Sequence, residues 1–476
     1  MLAKLVPHRK PSLRWALASL SLSMLLSSLG TSIANVGLPA IAQAFDASFQ
    51  QAQWIVIAYL LSITSVIVSV GRLGDIVGRR RLQLVGIALF AMASILCGIA
   101  PTLWLLIAAR AVQGLGAAIM MALTIALVGT AVSPARTGSA MGLLGTMSAV
   151  GTALGPSLGG VLIAAVGWQA IFLIKVPLAV VAFFLAFRHL PKELPVPTSS
   201  RPTVDHVGTL LLGLTLATYA LAMTVGRGTL GSLNIILLLA ALLGAGCFMF
   251  VEARTSSPLI QLAMFRSRAL SGGLVMSALV STVVMTTLVV GPFYLSGGLG
   301  LEPAFVGLVL SVGPLVAALT GVPAGRMVDR FGARRTTVVG LVGMTGGSVI
   351  LSMLPPSFGI AGYVAPIVAI TAGYALFQTA NNTAVMQAIA PDARGAVSGM
   401  LNLSRNLGLI TGASAMGAVF AFGSDASGAA TVLPEGVASG MRITFAVAAV
   451  LMIFALAVAV GDRRSASRDS IACDHP

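Results

Sequence analysis

Three basic side chains stand in long apolar runs: Arg110, Lys175 and Arg405, with no Asp or Glu among them. An ionisable group taken out of water must find a partner, so such residues mark anion sites, proton routes or polar contacts between helices. The same runs carry Asn35, Gln53, Trp54, Tyr59, Gln113, Gln378, Asn381 and Asn382. With Arg110 and Arg405 these are read as the lining of a polar cavity. The bland alternative is helix–helix hydrogen bonding, worth about 0.6 kcal/mol each in membranes. Asn381 and Asn382 are neighbours and cannot face one way on a helix, so at least one is structural.

A charged stretch between two apolar runs, Gly71 to Gly86, returns as Gly325 to Gly340. Gly71 and Gly325, Arg72 and Arg326, Asp75 and Asp329, Gly78 and Gly332, Arg80 and Arg334, Arg81 and Arg335, Val85 and Val339, and Gly86 and Gly340 coincide. The glycines permit a tight turn where two helices meet, and Asp75 can pair with Arg79 or Arg80. Asp329 with Arg334 and Arg335 would do the same in the second copy. Such a polar clasp would hold one end of a helix bundle shut. A charged loop that only fixes orientation would need neither the acid nor the repeated glycines.

Other chemistry is excluded. His8, His189, His206 and His475 lie in tails or linkers and form no cluster, which argues against a membrane enzyme. Cys97, Cys247 and Cys473 have no plausible partners for a disulfide or metal frame. No G-x-x-x-x-G-K-[ST] loop is present, so nothing points to ATP. No cofactor is expected.

Composition sets the elements that must position these residues. Of the 476 residues 57% are hydrophobic and only 9% charged, against about a quarter charged in soluble domains. A helix crosses the bilayer in about 20 apolar residues. Spans are expected near 14–38, 52–71, 83–100, 103–130, 138–165, 168–188, 206–226, 232–252, 270–297, 304–324, 337–354, 360–388, 395–422 and 440–461. The first run is too long for a signal peptide and lacks a clear cleavage site, so it is read as a retained span. With the N-terminus inside, only Arg227 and Arg442 fall in outside loops, which fits the positive-inside rule with both termini cytoplasmic. The net charge of +15 is spread over short inside loops, so lipid headgroups explain it better than nucleic acid.

The two charged copies lie about eight spans apart at about 34 residues per span, where a duplicated six-span unit would separate them by six. An extra pair is therefore inserted centrally. The expected organisation is an all-α integral membrane protein. Residues 1–190 form an N-terminal six-helix half, and 191–268 hold a linker with the extra spans. Residues 269–461 form a C-terminal six-helix half, and 462–476 a polar, unstructured cytoplasmic tail.

In these motifs the chain resembles the major facilitator superfamily, specifically its 14-span drug:proton antiporters. The loop pattern G-x-L-x-D-x-x-G-R-R is matched by Gly71, Leu73, Asp75, Gly78, Arg79 and Arg80. An Arg followed by Q-G-x-G in span 4 is matched by Arg110, Gln113, Gly114 and Gly116. G-x-x-x-G-P-x-x-G-G in span 5 is matched by Gly151, Gly155, Pro156, Gly159 and Gly160. N-x-x-L-P closes span 1 at Asn35 to Pro39, Trp168 to Pro177 resembles the opening of span 6, and Asn402 to Gly408 the span-13 Arg motif. The resemblance implies two six-helix halves rocking about a central site. It also implies that the glycine-rich span-5 helix packs at the interface between halves and limits leak. Small residues at four-residue spacing allow close approach, and Pro156 bends the span.

Two departures stand out. The resemblance implies an Asp five residues before Asn35, where this chain has Gly30. It implies Asn in the I-N-V-P segment, where this chain reads Ile174-Lys175-Val176-Pro177. Lys175 would lie about 10 Å into the bilayer at 1.5 Å per residue, and either snorkels to the headgroups or faces the cavity. The expected function is a secondary exporter of a small molecule across the cytoplasmic membrane, monomeric and proton-coupled, with the proton gradient as energy source. Asn35, Arg110, Gln113, Lys175, Asn381 and Arg405 form the expected substrate and coupling site, with Lys175 a candidate coupling group and Asp75 a weaker one. The alternative is an anionic or zwitterionic metabolite, exported or imported, with atypical or no proton coupling.

Overall fold

The computed structural model describes residues 13–131, 134–191, 205–225, 231–255, 267–387, 394–424 and 434–472. The first half comprises α1 (Leu13–Ala44), α2 (Phe49–Val77), α3 (Arg79–Gly98), α4 (Leu103–Ala131), α5 (Pro134–Val166), α6 (Ala170–Leu173) and α7 (Lys175–His189). A hairpin of α8 (His206–Thr224) and α9 (Ser232–Arg254) follows. The second half comprises α10 (Arg268–Phe293), α11 (Pro303–Phe331), α12 (Ala333–Met353), α13 (Gly359–Gln387), α14 (Arg394–Gly423) and α15 (Pro434–Ala472). Among the described residues there are 14 spans long and apolar enough to cross a membrane, α6 and α7 together making one. Pro177 lacks the N–H that would continue the ladder back to Leu173, which accounts for the break between them.

The duplication is visible in the packing. α1 lies on α5 as α10 lies on α14, and α2 on α4 as α11 on α13. α3 lies against α4 and α7, as α12 lies against α13 and α15. Gly86 and Gly340, the last residues of the two sequence copies, sit at equivalent crossings. A Cβ on Gly86 would meet Ile119 and, at 3.3 Å, the Gly116 carbonyl oxygen, and one on Gly340 would come 2.6 Å from that of Gly373. These small residues let two helix backbones approach where no side chain fits.

The inserted hairpin is attached through one helix. α9 packs on α8, and α8 bridges α2 and α14. Trp54 Nε1 donates to Thr224 Oγ1 at 3.0 Å, and Tyr219 donates its hydroxyl to Thr411 Oγ1 at 3.3 Å. Leu239, Leu242, Leu243 and Phe250 of α9 are exposed, an apolar surface suited to lipid.

Two expectations are corrected here. The charged repeats are not loops: helix runs on both sides of a single residue, Gly78 at φ 99° and Gly332 at φ 82°. One glycine in the left-handed region reverses the chain, so the flanking spans are several residues longer than apolarity alone suggests. The tail beyond 461 is also not irregular, since α15 continues to Ala472. The linker stretches 192–204 and 256–266 lie outside the described residues.

Candidate substrate and coupling site

Tyr59, Arg110, Gln113 and Lys175 converge inside the first half. Arg110 is fully buried. Its Nε donates to the Ile55 carbonyl oxygen at 2.9 Å, and one Nη donates to the Gly30 carbonyl oxygen at 3.2 Å and to Gln113 Oε1 at 2.5 Å. The second guanidinium nitrogen, Nη2, has no hydrogen-bond partner. Gln113 passes the chain on through Nε2 to Ser94 Oγ at 2.6 Å, and Ser94 donates to the Phe90 carbonyl oxygen. The guanidinium lies 4.1 Å from the centre of the Tyr59 ring, and Tyr59 donates its hydroxyl to the Ser27 carbonyl oxygen. α1, α2, α3 and α4 thus each contribute to holding one cation.

Lys175 begins α7 and is equally buried, with Nζ 4.9 Å from the Phe172 ring centre and 5.7 Å from that of Phe90. Nζ has no hydrogen-bond partner. Neither sequence expectation holds for it. It does not snorkel and it does not reach an open cavity, because α3, α6 and α7 close around it. Arg110 likewise lines no accessible cavity. The sequence could place both cations at membrane depth, but not which way their helices turn.

Gly30 lies at the centre of this arrangement. A Cβ there would come 2.8 Å from the Tyr59 hydroxyl and 3.4 Å from the Phe90 ring. An Asp at position 30 would therefore point into the Arg110 surroundings. Phe90, Ser94 and Phe172, which complete the cluster, carried no signal in the sequence, since aromatic and small polar residues in apolar runs are ordinary packing.

The remaining site residues scatter. Asn35 is buried in α1, donating back to the Thr31 carbonyl oxygen while its own Oδ1 has no hydrogen-bond partner. Asn381 is buried and donates to the Gly273 carbonyl oxygen of α10 at 3.1 Å, whereas Asn382 is exposed. Arg405 is exposed on α14 and does not join the buried cluster, contrary to a shared site for the three cations.

The charged motifs are described only in part. Arg80 donates to the Phe187 carbonyl oxygen and lies over the Phe187 ring, so it ties α3 to α7 within one half. The Asp75 side chain lies outside the described residues. Asp329, Arg334 and Arg335 are exposed, and among the described residues no ion pair joins them. Solvated charges at a helix end gain little from pairing. Gly71 and Gly325 are not turn residues, since each lies within a helix with nothing within 4 Å of its missing side chain.

The span-5 helix packs on α11 of the other half, as the resemblance implies, but its motif glycines divide between two partners. Gly151, Gly155 and Gly159 pack on α1 within their own half, against Leu25, Ser32 and Val36. Contact with the other half falls to Pro156 and Gly160, on another face of α5, which meet Gly307 of α11. The halves also meet through Phe49, whose ring lies 4.6 Å from Phe293 and 5.0 Å from Phe420, and through Gln53 against Gly417. These contacts sit at the end of the bundle away from the chain termini.

Comparison with known proteins decides the family. The model of the Major Facilitator Superfamily matches residues 20–413. The chain belongs to the Major Facilitator Superfamily. It is 30% identical over 409 residues to the riboflavin transporter RibZ of Clostridioides difficile, covering 86% of this chain and 88% of that protein. It is 29% identical over 416 residues to the multidrug resistance protein Stp of Mycobacterium tuberculosis, covering 85% and 75%. In fold it is similar to a bacterial homolog of the human lysosomal transporter Spinster in an inward-facing, unoccupied conformation. That similarity has a TM-score of 0.67 at 16% identity and covers 94% of this chain and 96% of that one. The protein is a facilitator-superfamily membrane transporter rather than an enzyme. Gly30 and Lys175, where the sequence departs from the motifs it resembles, both lie in the cluster around Arg110.

Proposed function

We propose that this facilitator-superfamily protein exports a small molecule across the cytoplasmic membrane by alternating access, as a monomer with both termini cytoplasmic. The observation that carries the reading is the seam between the halves. Pro156 and Gly160 against Gly307, and Phe49 among Phe293 and Phe420, close the end opposite the termini. In the proposed orientation that is the outer face, so the arrangement is closed to the outside, as an exporter loading from the cytoplasm must be. The seam is also built to part. Gln53 is buried in it with neither amide atom hydrogen-bonded, so opening restores hydration worth about 1–3 kcal/mol. Relatives named as a multidrug efflux pump and a drug efflux pump support export. The proton gradient is the proposed energy source, with no cofactor.

A second reading has its own support. All described carboxylates lie at or beyond the ends of the apolar spans, so no acid at membrane depth attracts a lipophilic cation. That favours a neutral, zwitterionic or anionic metabolite with atypical coupling, and RibZ is named for transport of a vitamin.

A growth-inhibition panel of cationic, neutral and anionic toxic compounds, in a host lacking its own pumps, tests both. Protection with lowered cellular accumulation, abolished by a protonophore, is the expected result. Raised accumulation of any compound on expression would establish import and overturn the export reading.

A further inference from the structure

Among the described residues, the buried cluster of the first half holds two cationic side chains and no acid. Arg110 Nη2 and Lys175 Nζ are both without hydrogen-bond partners, and both residues are fully buried. The two side chains address the same Phe172 ring, the guanidinium carbon at 5.9 Å and Nζ at 4.9 Å. The other groups packed around them are Gly30, Tyr59, Phe90, Ser94, Cys97 and Gln113, none a carboxylate. Carbonyl and amide oxygens satisfy part of Arg110 as hydrogen-bond acceptors, yet they carry no net charge. Two like charges in one apolar pocket are strongly disfavoured unless one group gives up its proton or a counter-charge sits with them. Aromatic ring edges, which carry partial positive charge, tolerate an anion beside them.

We propose that Arg110 and Lys175 share a small monovalent inorganic anion of about the size of chloride. It supplies the negative charge that this chain, with Gly30, does not carry covalently. Burial selects the ion over a substrate carboxylate: both cations are sealed within α1–α4, α6 and α7, away from the seam between the halves where an organic substrate would pass. The two departures from the family pattern then belong together. Removing the acid and adding the lysine exchange a covalent anion for a bound one. This inference does not depend on the direction or substrate of transport.

The test is the thermal unfolding of the detergent-purified full chain, followed by tryptophan fluorescence at fixed pH and constant ionic strength. Sodium gluconate is replaced stepwise by sodium chloride, and in parallel by bromide, nitrate, sulfate or acetate. A bound ion stabilises by mass action, so Tm should rise by several degrees and saturate with chloride, bromide and nitrate, but not with sulfate or acetate. Lys175→Asn should flatten the chloride response. A wild type indifferent to chloride, or a response unchanged in Lys175→Asn, overturns the proposal. An acetate response equal to that of chloride overturns the inorganic ion in favour of an organic carboxylate. Should Lys175→Asn fail to fold, binding of radioactive chloride to wild type and Gly30→Asp decides. Wild type should bind and the variant, carrying its own carboxylate, should not. Absence of binding to wild type, or equal binding to both, refutes the bound ion.

Discussion

Gly30 presents its backbone carbonyl oxygen to Arg110 at 3.2 Å, while the position where a side chain would begin faces the Tyr59 hydroxyl and the Phe90 ring. The guanidinium is thereby tied to the first helix by a neutral acceptor. What the first half can do with charge follows from that contact.

Gly30→Asp combined with Lys175→Asn replaces a cation and a hydrogen atom by a carboxylate and an amide. The new Cβ presses on the Tyr59 hydroxyl at 2.8 Å, the far end of a side chain, so the site accommodates it by shifting Tyr59. The carboxylate can then pair with Arg110, a charge-assisted contact stronger than the carbonyl one. In the growth-inhibition panel the double variant is expected to shift protection toward lipophilic cations. An unchanged compound profile would show that this cluster does not set substrate charge.

Gly340→Val should be severely destabilising, and Gly346→Val should not. The Cβ at 340 meets the Gly373 carbonyl oxygen at 2.6 Å and the Phe377 nitrogen at 2.7 Å, backbone that cannot step aside, whereas that at 346 meets nothing within 4 Å. Overpacking of this kind costs about 1–3 kcal/mol or more. Yield of monodisperse protein and its Tm give the comparison, and equal losses would contradict the close crossing.

Gly78→Ala and Gly332→Ala force a side chain into φ 99° and 82°, at a cost of about 1–3 kcal/mol each. Gly71→Ala and Gly325→Ala, in the same two motifs, lie within helices in open space and should be neutral or slightly stabilising. Melting curves of the four variants separate turn glycines from helix glycines. Similar losses in all four would mean the motif acts as a unit.

Gln53→Leu removes two buried amide atoms that lack partners at the seam between the halves. Sealing it with apolar surface should raise stability by about 1 kcal/mol and slow transport several-fold, because the closed seam is favoured. A more stable variant with undiminished efflux would place the moving seam elsewhere.

Gly71→Cys, made in a chain whose Cys97, Cys247 and Cys473 are replaced by serine, should react with an impermeant maleimide only when the cytoplasmic face is accessible. Labelling in inside-out vesicles and not in intact cells is the expected result. The reverse pattern would invert the proposed topology.

The membrane architecture was legible in the sequence because it is a one-dimensional property. Apolar length gives the 14 spans, and the returning Gly-Arg-Asp-Gly pattern gives the two halves. The repeated glycines were legible as turn formers, but not which of them turn: Gly78 and Gly332 do, whereas Gly71 and Gly325 lie within helices. The Arg-x-x-Gln spacing of Arg110 and Gln113 likewise placed both on one face of α4, where they do bond.

What the sequence could not supply was direction around each helix. Arg110, Lys175 and Arg405 look alike as cations in apolar runs, yet two are enclosed within one half and the third is exposed on the other. Gly155 and Gly160 belong to one motif, but one packs on α1 and the other on α11. A helix turns about 100° per residue, so neighbours in a motif face different partners, and only tertiary packing decides which partners those are.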